Sequence, residues 1–162
     1  MAWYEDLTPC TYFDGEQPHG ATLLAVGWLE RGHAYHHGMV DSAVIKKLVA
    51  LFRNPWEPLM CLGWHDCDLC QPPIWHGQFH AAEHTVSMGI ANLFVPGTGV
   101  LYAAPSLILH SMADHGYAPP EAFCAAVLAC PPMGSEEYLQ AISRNGPAAF
   151  ATWANETPRK VQ

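Results

Sequence analysis

A chain of 162 residues, half of them apolar and only 14% charged, is long enough to bury a core and is not disordered by composition. Its net charge of −8, from 7 Lys and Arg against 15 Asp and Glu, argues against a nucleic-acid partner, which needs clustered cations. No apolar run reaches the roughly 18 residues of a membrane span; the longest, 93–109, is broken by Pro96, Gly97, Gly99 and Pro105.

Taken in chain order, residues 1–20 are rich in Pro, Gly, Asp and aromatics without a period. They read as an irregular segment anchored by Trp3, Tyr4, Tyr12 and Phe13. The opening residues lack the basic and apolar parts of a secretory leader, so a cytoplasmic location is expected. Leu23 to Leu29 is a short apolar run expected as a strand. His33-Ala34-Tyr35-His36-His37 reads as an exposed loop, with a binding surface as the alternative. Asp41 or Ser42 caps a helix through Phe52, with Val44, Ile45, Leu48, Val49 and Phe52 on one face and Asn54-Pro55 as its stop. Pro58 to Trp64 is expected as a strand leading into a cysteine turn. Two apolar runs, Thr85 to Val95 and Val100 to Ala104, flank Pro96-Gly97-Thr98-Gly99 and predict a hairpin over about 85–104. Three helices follow. One opens at Pro105-Ser106 and ends at His115-Gly116. The next opens at Pro119-Pro120, with Phe123, Cys124, Val127 and Leu128 facing the core. Ser135 caps the third, carrying Tyr138, Leu139 and Ile142. Pro147 to about Trp153 forms a fourth. Strands early and helices late predict an α+β domain over 1–155, with 156–162 as a frayed tail. Its small, mostly antiparallel sheet has one helix before it and three or four after.

The chemistry concentrates at Trp64-His65-Asp66-Cys67-Asp68-Leu69-Cys70. In a reducing compartment the cysteines at 10, 61, 67, 70, 124 and 130 are expected as thiols or metal ligands. Cys67 and Cys70, in a tight Cys-x-x-Cys turn, suit a soft tetrahedral ion such as Zn2+. His65 is the leading third ligand by proximity. Cys61, with the same strand parity as His65, and His76, His80, His84 and His110 are weaker candidates. A redox role is disfavoured, because Gln71-Pro72-Pro73 prevents a helix from starting at the pair and activating its first thiol.

His80-Ala81-Ala82-Glu83-His84 matches the inverted zinc-peptidase signature, which requires a helix, yet it runs into a strand-like stretch. With Cys67 and Cys70 the same two histidines also match a Cys2His2 finger with a short spacer. His110 and Asp114 share a helix face, with His115 beside them. A carboxylate orienting an imidazole is half of a general-base arrangement, and a solvent-facing pair is the plainer reading.

The ordered phrases Tyr4-Glu5-Asp6-Leu7, Val26-Gly27-Trp28-Leu29, Gly63-Trp64-His65, Cys67-x-Leu69-Cys70, Asn92-Leu93-Phe94-Val95-Pro96-Gly97, Tyr102-x-Ala104-Pro105-x-Leu107-Ile108-x-His110 and His115-x-Tyr117-x-Pro119-Pro120-x-x-Phe123 run over most of the chain. As a set they resemble a family of small bacterial proteins of unknown function. The resemblance implies no activity. It implies that His65, Cys67, Cys70, His110 and His115 lie within shared motifs and that His80 and His84 do not.

The resulting expectation is a zinc-stabilised binding module acting on another protein, in an immunity-type or accessory role. The alternative is a hydrolase-like metal enzyme with His110, Asp114 or His115 in acid/base roles.

Overall fold

The structure is a computed structural model and describes residues 2–15, 20–59, 63–72, 77–81 and 84–158. Its elements are β1 (Leu23–Ala25), α1 (Ser42–Phe52), β2 (Gln78–Ala81), β3 (His84–Ser87), β4 (Asn92–Pro96), β5 (Leu101–Pro105), α2 (Ile108–Asp114), α3 (Glu121–Ala129), α4 (Glu136–Asn145) and α5 (Ala148–Glu156). This is the expected α+β order, with one helix ahead of the hairpin and four after it.

The main sheet has the order β1-β5-β4. β4 and β5 form the expected hairpin, antiparallel with Phe94 opposite Ala103, closed by Gly97 N–H donating to the Val100 carbonyl at 2.9 Å. β1 joins the other edge of β5 in parallel, Leu23 opposite Leu101. β5 is buried along its whole length. A central strand covered on both faces reads as a continuous apolar run, as Leu101-Tyr102-Ala103-Ala104 does.

The first hairpin arm is shorter than its apolar run. Gly89 has φ +76, and the bend around it separates β3 from β4. β3 therefore pairs backwards with β2, His80 opposite Thr85, in a separate two-stranded ribbon. Of the expected strand Pro58–Trp64, residues 60–62 lie outside the described residues, and Pro58, Leu59, Gly63 and Trp64 are not in a strand. The β1 strand stops short of Leu29 because Gly27 turns the chain at φ +75.

α1 and α4 start where their side-chain caps direct, whereas α2 opens at Ile108 and not at Pro105-Ser106, because Pro105 is the last residue of β5, opposite Asn92. Asp41 accepts from the Ala43 N–H at 2.8 Å, and Ser135 Oγ accepts from the Tyr138 N–H at 3.2 Å. α3 is rotated from the expected face. Phe123, Ala126 and Val127 are buried, Cys130 follows at its end, and Leu128 is 50% exposed. The stripe 123, 126, 127, 130 keeps i, i+3, i+4, i+7 spacing, and Leu128 falls one step off it.

The N-terminal aromatics close around Trp28. Tyr4, Tyr12 and Phe13 lie 5.7, 4.8 and 6.0 Å from its ring, and its indole N–H donates to the Ala103 carbonyl at 2.8 Å. α4 and α5 cover β4, where the buried Tyr138 hydroxyl donates to the Phe94 carbonyl at 2.7 Å and Phe150 packs edge-on to Phe94 at 4.8 Å. None of the helices among the described residues is long and apolar enough to cross a membrane.

Candidate metal centre

Between the end of α1 and the start of β2 the described residues form no helix or strand. The described parts of so long a connection, lacking helix or strand, need some other means of being held in place. Two tethers are visible. The Arg31 backbone N–H donates to Asp68 Oδ2 at 2.9 Å, and its guanidinium donates to the Asp68 and Cys70 carbonyls at 2.5 and 3.2 Å. The His65 N–H donates to the Gly89 carbonyl at 2.8 Å. Together they hold the turn 65–70 against the C-terminal end of α2.

There the turn meets two imidazoles. His110 lies within α2 and is nearly fully buried, while His115 caps its C-terminus. Five positions apart, the two would diverge on a continuous helix. They converge because the helix ends at Asp114 and Gly116, at φ +64, reverses the chain.

The ligand atoms of Cys67, Cys70, His110 and His115 all lie within 4.8 Å of one another. Cys70 Sγ is 3.1 Å from His110 Nε2 and 3.3 Å from His115 Nε2. Cys67 Sγ is 3.3 Å from His115 Nε2, and the two Nε2 atoms are 3.1 Å apart. A tetrahedral ion with Zn–S of about 2.3 Å and Zn–N of about 2.0 Å puts its donors roughly 3.3–3.8 Å apart. The four separations of 3.1–3.3 Å are close to those edges, and with all donors within 4.8 Å of one another the set could hold one small tetrahedral ion.

Asp114 completes the arrangement from outside. Its Oδ2 is 2.5 Å from His110 Nδ1. That contact places the Nδ1 proton on the carboxylate side and leaves the Nε2 lone pair facing the sulfurs.

The protonation preferences of the four donors reflect their crowding. Burial pushes the Cys67 thiol up, but the His110 imidazole and the backbone N–H groups of Cys70 and Leu69 outweigh it and lower it overall. Burial and the neighbouring Cys67 push Cys70 up to about 11. His110 is raised by Cys67 and, despite burial, by Asp114 as well. His115 is lowered by burial and by the charge of His110. An ion taking all four donors displaces the protons they hold.

Other sequence candidates stand elsewhere. His65, the leading third ligand by proximity, is outside this cluster: its Nε2 is 3.2 Å from the Tyr12 hydroxyl. His80 in β2 and His84 in β3 lie on facing strands rather than on one helix, which removes the geometry a zinc peptidase needs. His80 Nδ1 instead lies 3.0 Å from Thr85 Oγ1. Cys61 and His76 lie outside the described residues. Cys10, Cys124 and Cys130 are free thiols away from the cluster. In the sequence His115 reads only as an acid/base candidate, and the structure brings it to the two cysteines and His110. The sequence signal for its role as a donor was its place just ahead of a helix-ending glycine.

A family model described as a domain of unknown function, DUF7919, matches residues 2–128. The chain belongs to that family. The DUF7919 segment contains all four donors together with Asp114 and Arg31, whereas α4 and α5 lie beyond it. Comparisons with the curated proteins and with the solved structures gave no match.

Proposed function

We propose that this DUF7919 protein is a zinc-stabilised binding module that acts on another protein, in an accessory or immunity-type role. The observation that carries the reading is the convergence of Cys67, Cys70, His110 and His115 on one point. Two thiolates and two imidazoles are a donor set suited to Zn2+ rather than to the oxygen-seeking Mg2+ or Ca2+. Four protein ligands close a tetrahedral shell and leave no position for a reacting water, the mark of a structural rather than a catalytic site.

The binding role is supported by the fate of the two histidines. With both Nε2 atoms directed at the ion, neither His110 nor His115 is left to serve as acid or base at a substrate. The ion's task is then to pin the turn 65–70 to the end of α2, and the net charge of −8 favours a basic partner.

Native mass spectrometry with and without a chelator tests the metal, and X-ray absorption tests its donors. The expected result is one zinc per chain with two sulfur and two nitrogen neighbours. A protein with no stoichiometric metal, whose melting temperature ignores the chelator, refutes the zinc reading. A shell of three protein donors and one water favours the metal-enzyme alternative.

A further inference from the structure

On the side of the molecule reached by the N-terminal segment there is a second feature, a cleft of about 340 Å3. One wall is Trp3, Tyr4 and Glu5, Asp6 lines the cleft beside them, and Tyr35 and His36 are on the other wall. At the bottom of the range for small-molecule sites, which starts at about 300 Å3, this volume suits a small guest the size of one long side chain. Its lining combines three aromatic rings with two carboxylates. None of the described lining residues is Lys or Arg. Arg31, the nearest cation in sequence, is committed to Asp68 and Cys70.

Among the described residues the hydrogen bonds to the Asp6 carboxylate come from neutral donors, while His36 in the cleft lining acts on it through charge. Gly27 N–H reaches Oδ1 at 2.9 Å, and the Tyr117 hydroxyl lies 2.9 and 2.8 Å from the two oxygens. This half-buried carboxylate has no Lys or Arg in the described lining, and the His36 imidazole is the ionisable base beside it. Standing next to a glutamate and among aromatic rings, it offers a guest charge pairing and ring contact at once. Ammonium and guanidinium groups both meet the first requirement. Guanidinium also stacks on rings and pairs with carboxylates in a planar fork, which favours arginine over lysine.

We propose that this cleft seats an arginine side chain presented by a basic protein partner. The proposal rests on the binding-module reading, and it gives that reading a site. The cleft is built onto the metal centre. The Tyr35 hydroxyl donates to the His115 carbonyl at 3.4 Å, Ala118 N–H donates to the His36 carbonyl at 2.9 Å, and Gly38 N–H donates to the Gly116 carbonyl at 3.1 Å. The wall 35–38 is thus strung along the segment that leaves His115. Burial raises Asp6 above the ordinary carboxyl range, Glu5 adds to it, Gly27, Tyr117 and the charge of His36 only partly offset it, and an incoming cation relieves the remaining cost.

The test is an amide and indole NMR titration of the full chain at low salt with the capped tripeptide Gly-Arg-Gly. The same peptide with citrulline, its lysine counterpart and free agmatine serve as comparators. The expected result is shifts confined to Trp3, Tyr4, Glu5, Asp6, Tyr35 and His36, stronger for arginine than for lysine and absent for citrulline. Trp3→Ala weakens binding by about 2- to 30-fold. Glu5→Gln, on an exposed residue that leaves the fold alone, weakens it by about 1.5- to 5-fold. Equal binding of the citrulline peptide, shifts elsewhere on the surface, or no binding overturns the proposal. Tighter binding of agmatine than of the arginine peptide overturns the protein source of the guest. Metal content is read on the same sample by native mass spectrometry, so loss of the zinc reading and loss of the cleft reading are told apart.

Discussion

Asp114 holds the buried imidazole of His110 by a 2.5 Å contact to Nδ1, although Asp114 itself is largely exposed. A surface carboxylate thereby fixes the tautomer and direction of an interior donor. Removing such an outer partner typically costs 10- to 100-fold in metal affinity. Asp114→Asn is therefore expected to weaken zinc binding by about that factor in competition with a chromophoric chelator. The melting temperature of the metal-free protein should stay the same. An unchanged zinc affinity contradicts the orienting role.

Replacing a donor removes the ion's contribution to folding. Free zinc at about 1,000 times its dissociation constant adds ~4 kcal/mol to the stability of the folded state. For a chain of this size that corresponds to about 8–16 °C of melting temperature. Cys67→Ser, Cys70→Ser and His115→Ala should each lower the melting temperature by up to this amount in zinc-containing buffer. In chelator they should differ little from the parent. His65→Ala is the contrasting variant. It should retain one zinc per chain, because His65 stands at Tyr12 rather than in the cluster.

Gly89 supports the cysteine turn from the far side. A Cβ at this position would come to 2.1 Å from the His65 carbonyl oxygen, and its φ of +76 disfavours any side chain. Backbone must move to relieve that clash, so Gly89→Ala is expected to cost at least ~2 kcal/mol. The His65–Gly89 hydrogen bond sets the approach of Cys67, so zinc affinity should fall along with the melting temperature. A variant that loses stability but binds zinc as tightly as the parent separates the two effects and rejects the link.

The pair Tyr117 and Asp6 carries a pH signature. Burial raises Asp6 above its usual 3.8, against the opposing hydrogen bonds from Gly27 and Tyr117. For a carboxyl raised in the folded state, the stabilisation is complete below the unfolded value of 3.8. It is lost as pH climbs through the raised folded value. Tyr117→Phe removes a donor to the ionised form and raises Asp6 further. Its penalty, about 1–3 kcal/mol, should therefore be largest near neutral pH and smallest below pH 3.8. Thermal melts of both proteins across this range read the difference directly. An equal penalty at both ends assigns the effect to packing alone.

Local features of this chain were legible in its sequence, and closures across distance were not. Asp41, Ser135 and the paired prolines mark helix starts through backbone chemistry that needs no tertiary partner. Pro96-Gly97-Thr98-Gly99 marks the hairpin in the same way. The Cys67 and Cys70 half-site was equally local. Its partners were a matter of which distant segment the 53–77 connection lies against, and chain proximity favoured His65. The tethers at Arg31 and Gly89 decide that geometry, and neither residue type advertises such a role. The β1–β5 pairing of Leu23 with Leu101 was hidden for the same reason. Gly89 also explains the shortened hairpin arm, since one glycine within an apolar run does not reveal a positive φ.

The family match ends at residue 128, inside α3, yet the aromatic packing continues well past it. Phe94 and Trp56 both lie against Phe150, and the Trp56 indole N–H donates to Thr157 Oγ1 at 3.0 Å. The segment matched by the family and the sealed body are thus different lengths of polypeptide. A protein cut to the shared segment would bare the outer side of β4 to water and would need a substitute roof, from another element or from a second copy.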